Sequence, residues 1–207
     1  MILIGQYDSP FVRRVGIALR LYGFAFEHLP WSAFSDADRL AAHNPLRRVP
    51  TLVLDDGSAL IESAGILDYL DEARGRDRAL IAAAGPARHR DLRRIALATG
   101  LADKAVALFY ERVMHEVPAP AWTARLEGQV AGTLAALEAE RAGQDGFWFG
   151  ASPGHADIAL GCVLHFLDAA HPGLFVRGRH PALAAHADAC EALAVFAEIR
   201  QPFIAPR

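Results

Sequence analysis

The chain has 207 residues, 53% of them hydrophobic, which suffices for one large or two small domains with a sizeable core. With 21 basic against 24 acidic residues and a net charge of −3, it has no basic excess to meet nucleic-acid phosphates. Cys162 and Cys190 form no C-x-x-C pair, and their alanine-rich surroundings suit small buried hydrophobes.

The opening "MILIGQYDSP" lacks the basic and apolar regions of a signal peptide, and no apolar run reaches membrane-spanning length. A soluble, cytoplasmic protein is expected. Ile2 to Gly5 reads as a short strand. Ser9-Pro10 then starts a helix, with a hydroxyl N-cap before a residue that needs no N–H. Phe11, Val12, Val15, Ala18, Leu19 and Tyr22 follow at helical spacing up to Gly23. "FAFEHLPW" reads as a second strand, and "SDADRLAAHNP" as a short helix capped by Ser35. "TLVL", a "DDG" turn and "SALI" form a hairpin, and "ESAGILDYLDEARG" a third helix ending near Gly75.

After Gly75 the pattern changes. "RDRALIAAAGPARHR" has the charge and the Gly85-Pro86 break of a linker. Leu92, Ile95, Thr99, Ala102, Val106, Phe109 and Val113 mark a long helix, and Leu126, Val130, Leu134 and Leu137 the next. "HADIALGCVLHFLDAA" is apolar on nearly every face, as a central bundle helix is, and "HPALAAHADACEAL" supplies another. Asp157 falls at the N3 capping position of the central helix, with Gly154 where a hydroxyl would complete the box. His155 and His165 have no metal-ligand spacing, and no metal is expected.

Two places carry chemistry. Pro50 opens a strand-forming run although it cannot donate to the ladder, and after Val49 it suits a cis bond. Such a turn leaves the Val49 N–H and C=O open to an extended peptide, as at a sheet edge. Glu62 and Ser63 stand at a strand-to-helix junction. There free helix N–H groups favour a ligand carboxylate, and Glu62 would hold an ammonium. The alternative is that the pair only caps the third helix.

The β-α-β-α-β-β-α order, followed by an all-helical half, resembles the glutathione S-transferase family. The motifs carrying the likeness are "SPFVRRV" (Ser9 to Val15), "NPLRRVPTL" (Asn44 to Leu52), "LIESAGILDYL" (Leu60 to Leu70) and "GHADIAL" (Gly154 to Leu160). Each is weak singly, but four in order span essentially the whole chain, and the likeness is to bacterial members of serine type. The resemblance implies an α/β thioredoxin-like domain over 1–78, a linker over 79–86 and an all-α domain over 87–207. Glutathione is the implied co-substrate, with no permanently bound cofactor. Glu62 and Ser63 would bind its γ-glutamyl end, Val49 before Pro50 its cysteinyl backbone, and Phe11 would join this set. Arg48 lies where relatives reach the glycyl carboxylate, though Arg47 beside it leaves the assignment open by one position.

Some classes of the family use a tyrosine after the first strand as catalytic hydroxyl, others a serine at the first helix. This chain has both Tyr7 and Ser9. Ser9, at a helix N-cap, is the better place for a thiolate, and Tyr7 is the runner-up. Tyr110, Val113 and Met114 on the long helix are candidates for a small hydrophobic electrophile's pocket. The expected protein is a homodimeric glutathione transferase that detoxifies such electrophiles. A thiol transferase or peroxidase, or a non-catalytic binding module on the same fold, are the alternatives.

Overall fold

The computed structural model describes residues 1–205. In chain order the elements are β1 (Ile2–Ile4), α1 (Pro10–Tyr22), β2 (Glu27–Leu29), α2 (Ala37–Ala41), β3 (Thr51–Val53), β4 (Ala59–Ile61) and α3 (Ser63–Arg74). There follow α4 (Gly85–Met114), α5 (Pro120–Arg141), α6 (His155–Ala170), α7 (Pro181–Glu191) and α8 (Ala194–Glu198). The chain forms two compact units, one of Met1–Ala83 with the segment from Ala192 on, the other Ala84–Glu191.

The return of the last residues to the first unit departs from the expected boundary, which gives 87–207 to the helical half. Residues 206 and 207 lie outside the described residues. Arg13 supplies a physical reason for the return. It is only 1% exposed, and its guanidinium donates to the carbonyls of Ile199 at 2.8 Å and Phe196 at 2.9 Å. A buried cation from α1 thus meets the unsatisfied carbonyl end of α8. No sequence periodicity marks so short a helix.

In the first unit the strand order is β2-β1-β3-β4, with β1 parallel to β2 and antiparallel to β3, and β4 antiparallel to β3. Side chains alternate across the sheet. Leu3 and Leu52 pack with Val12, Val15 and Leu19 of α1 and with Ile66 and Leu70 of α3. Ile4 and Val53 turn to the other face, with Leu40 of α2. Helix α1 begins at an N-cap Ser9 with Pro10 in its first turn, and stops at Gly23 in the left-handed region (φ 72°). Ser35 does not cap α2. Asp36 precedes that helix, and the turn before it is held by Ser32, whose Oγ accepts from the Phe34 and Ser35 amides.

In the second unit, α6 is buried on nearly every face and packs against α4 and α7. The expected buried stripe of α5 is in place, at Leu126, Val130, Leu134 and Leu137. That of α4 is in place at Ala102 and Phe109 but is elsewhere shifted by about one residue. Its inward line runs through Asp91, Arg94, Ala98, Leu101, Ala105 and Leu108, and Leu92 is 46% exposed. Charged residues occupy the inward face because they find partners: Arg94 Nε donates to Glu140 at 2.8 Å, and its cation lies 4.6 Å from the Trp148 ring. Neither cysteine forms a disulfide, and both are buried. No helix among the described residues is long and apolar enough to cross a membrane.

Candidate functional site

Strand register gathers the candidate residues. Ile4 pairs with Thr51, and Thr51 with Ile61, so the end of β1, the start of β3 and the end of β4 form one row across the sheet. Adjacent strands lie about 4.8 Å apart. Three connections therefore emerge side by side at this sheet end: the loop Gly5–Ser9 after Ile4, Val49-Pro50 before Thr51, and Glu62 after Ile61. The Val49–Pro50 bond is cis.

Gly5 draws the first two together. Its φ of +132° is open to glycine only, and a Cβ there would lie 2.6 Å from Val12 Cγ2 and 2.8 Å from Val49 Cβ. The start of α1 and the Val49 loop thus press against the same bare backbone. Gly5→Ala should destabilise the unit and displace Val49, read as a lower thermal midpoint; an unchanged midpoint would show that the loop can yield. Gly5 is a residue that sequence reasoning missed, and its only signal is a glycine directly after a three-residue apolar strand.

Ser9 is half-buried, and its Oγ accepts from the Val12 amide at 3.4 Å, a long capping bond. A hydroxyl that accepts from its helix still has an O–H to donate elsewhere. Phe11 stands half-buried in the same turn. Tyr7 faces another way. Its ring stacks on His28 with centroids 3.8 Å apart, and its Cε1 lies 3.0 Å from where a Cβ on Gly16 would be. Gly16 is seven residues along α1 from Ser9, roughly 10 Å of helix. Burial pushes the Tyr7 phenol up to about 12, with Arg20 opposing and Glu198 adding to the rise. Asp8 also titrates above its usual range through burial, opposed by the amides of Ile204, Ser9 and its own residue.

At the Val49 loop the hydrogen bonds converge on the preceding carbonyl. Asn44 Nδ2 and Thr51 Oγ1 donate to Arg48 C=O at 2.8 and 3.2 Å. The two arginines part company. Arg48 Nη1 lies 3.3 Å from Glu62 Oε1, whereas Arg47 Nη1 lies 3.4 Å from Asp38 on the α2 side. Arg48 is thus the one paired with Glu62.

Glu62 occupies the N-cap position of α3 without acting as its cap, since its carboxylate makes no capping bond. It also sits at φ 62°, a left-handed conformation that costs a non-glycine residue about 1–3 kcal/mol. Ser63, the first helical residue, is buried beside it. An exposed carboxylate held next to open helix N–H groups offers a place for an ammonium beside a place for a carboxylate. Tyr110, Val113 and Met114 are all exposed on the last turns of α4. No group of acidic, histidine or cysteine residues among those described has the makings of a metal site.

The N-terminal domain model of glutathione S-transferases matches residues 3–78, and the C-terminal domain model matches 120–189. The chain is 34% identical over 171 residues to maleylacetoacetate isomerase of Pseudomonas aeruginosa, covering 77% of this chain and 78% of that one. It is 37% identical over 71 residues to the uncharacterized GST-like protein YibF of Escherichia coli, an alignment spanning 34% of this chain and only 35% of that protein. Among solved structures, a glutathione S-transferase from Methylobacterium radiotolerans in complex with glutathione sulfonate superposes with a TM-score of 0.90. The two are 32% identical, over 100% of this chain and 98% of the other.

Proposed function

This chain belongs to the glutathione S-transferase family, and from that premise we propose that it activates glutathione as a thiolate and adds it to small hydrophobic electrophiles. The observation that carries this reading is the row Ile4–Thr51–Ile61, which delivers Ser9, Val49-Pro50 and Glu62 to one sheet end. In this reading residues 1–78 hold glutathione. Glu62 takes the γ-glutamyl ammonium, and Ser63 with the amides opening α3 takes the neighbouring carboxylate. Val49 pairs with the cysteinyl backbone, Arg48 reaches the glycyl carboxylate, and Phe11 packs beside the tripeptide. Ser9 donates its hydroxyl to the sulfur. Beyond the linker, which ends where α4 begins at Gly85 rather than at the expected 86, the helical half contributes Tyr110, Val113 and Met114 to the electrophile's pocket. Glutathione is a co-substrate rather than a resident cofactor, and the working form is a cytoplasmic homodimer.

The strained backbone of Glu62 supports its assignment. A residue at positive φ that does not cap its helix gains nothing locally from being there. Glu62→Gln should weaken glutathione binding by ~1.5–3 kcal/mol, the range of a charged hydrogen bond. The fold should be unaffected, because the exposed pair with Arg48 contributes little. Calorimetric titration checks both points, and an unaltered dissociation constant would remove Glu62 from the site.

Disulfide exchange is the weaker alternative, since no cysteine stands at Ser9 to act as nucleophile. A second reading draws on the identity to maleylacetoacetate isomerase. Reversible addition of the same thiolate to a cis double bond permits rotation, and elimination then returns the trans isomer and free glutathione. Assaying the chain with a generic aromatic halide and with a maleyl-type cis acid separates the two. Conjugate accumulates in the first case; the acid isomerises without consuming glutathione in the second.

A further inference from the structure

We propose that the C-terminal segment, from α8 to Ile204, is a strap that positions the Gly5–Ser9 loop, with Gln201 and Asp8 as its fastenings. The proposal rests on the reading of Ser9 as hydroxyl donor and adds what holds that hydroxyl in place.

At its ends the loop is held within the sheet and by its own turn, and His28 Nε2 lies 2.7 Å from Gly5 C=O. The Gly5 amide donates to Leu29 C=O at 2.9 Å and the Ser9 amide to Gln6 C=O at 3.2 Å. Between them, the Tyr7 amide donates to Gln201 Oε1 at 2.8 Å. The Asp8 carboxylate accepts from the Ile204 amide at 3.0 Å. The two residues immediately before Ser9 are therefore both tied to a segment more than 190 positions away in the chain.

That segment is itself fixed to the helix that Ser9 begins. Arg13 holds the carbonyls of Phe196 and Ile199, and Arg20 Nε lies 2.8 Å from Glu198 Oε1. The Ile199 side chain comes within 2.9 Å of where a Cβ on Gly16 would stand, so glycine there admits the close approach. The strap is thus registered against α1 along its length before it reaches the loop. Gln201 touches no reacting atom in this reading. Its effect passes through the Tyr7 amide to the aim of the Ser9 hydroxyl, where a displacement near 1 Å is enough to cost rate.

The test compares wild type, Gln201→Ala, Gln201→Glu and Ser9→Ala in two measurements. The first is native-state hydrogen exchange of the Tyr7 amide, which does not depend on what Ser9 does. The second is ultraviolet titration of bound glutathione together with kcat and KM. Gln201→Ala should speed Tyr7 exchange by ~10-fold or more. It should also raise the pKa of the bound thiol and lower kcat by ~3–10-fold, with KM for glutathione within about twofold. Gln201→Glu keeps an acceptor oxygen and should restore both. Unchanged Tyr7 exchange in Gln201→Ala overturns the strap. Faster exchange with an unmoved titration overturns its positioning role, provided Ser9→Ala moves the titration in the same assay. If Ser9→Ala does not move it either, the reading of Ser9 fails, while faster exchange still supports the strap.

Discussion

Asp157→Ala should lower stability by about 3 kcal/mol, more than any surface substitution, because one buried carboxylate ties three backbone amides to the start of α6. Asp157 is 0% exposed. Its Oδ1 accepts from the Trp148 amide at 2.8 Å, and its Oδ2 from Phe149 at 3.2 Å and Gly154 at 3.0 Å. Only the last of these bonds belongs to a capping box, and Gly154 has no side chain to return the other half. The remaining two fasten the preceding turn, so the loss exceeds that of an ordinary cap, which is about 1 kcal/mol. Alanine would leave three donors without partners. Asparagine would keep one oxygen and should fall between. For a chain of this size, about 3 kcal/mol corresponds to roughly 6–12 °C in thermal midpoint. Urea unfolding of the two variants measures it directly, and an unshifted midpoint for Asp157→Ala would show that water replaces the carboxylate.

What could be read from the sequence follows the range of the physics involved. Local signals were legible: Ser9-Pro10 opens α1, the Asp-Asp-Gly turn lies between β3 and β4, and the apolar α6 lies at the centre of its unit. Asp157 was also within reach, because a capping box spans only three residues. The tilt of α4 was not. Its apolar stripe through Leu92 and its charged stripe through Arg94 are both helical in period, and Glu140 and Trp148 on other elements decide which turns inward. At the site, residue types were readable but pairings were not. Nothing local tells Arg48 from Arg47; only the fold pairs the one with Glu62 and the other with Asp38. The role of the chain's end was hidden for the same reason. Arg13 in α1 looks like a surface residue until the carbonyls of Phe196 and Ile199 arrive to accept its hydrogen bonds.

Ser9→Ala should raise the pKa of bound glutathione and cut conjugation of a generic electrophile by ~10–100-fold, from a loss of ~1.5–3 kcal/mol. A free thiol with a pKa near 8.5 is only ~3% ionised at neutral pH. Lowering that pKa by about two units requires roughly 2.7 kcal/mol of preference for the thiolate. One hydroxyl bond to a charged acceptor supplies ~1.5–3 kcal/mol and the open end of α1 another ~0.3–1, so the two together suffice. Removing the hydroxyl also weakens the cap on Val12, by about 1 kcal/mol of stability. The titration of the bound thiol is therefore the decisive measurement rather than rate alone. Glutathione affinity should change less, because in this reading its charged ends rest on Glu62, Ser63 and Arg48. Tyr7→Phe should leave the thiol unaffected. The phenol ring is stacked on His28 beside Gly16, well along α1 from its N-terminal end. Ser9→Cys should lose conjugation and gain disulfide exchange, since a helix N-terminus favours the cysteine thiolate as nucleophile. A thiol pKa raised by Tyr7→Phe but not by Ser9→Ala would make tyrosine the donor, and a pKa raised by neither would place the activating group outside this loop.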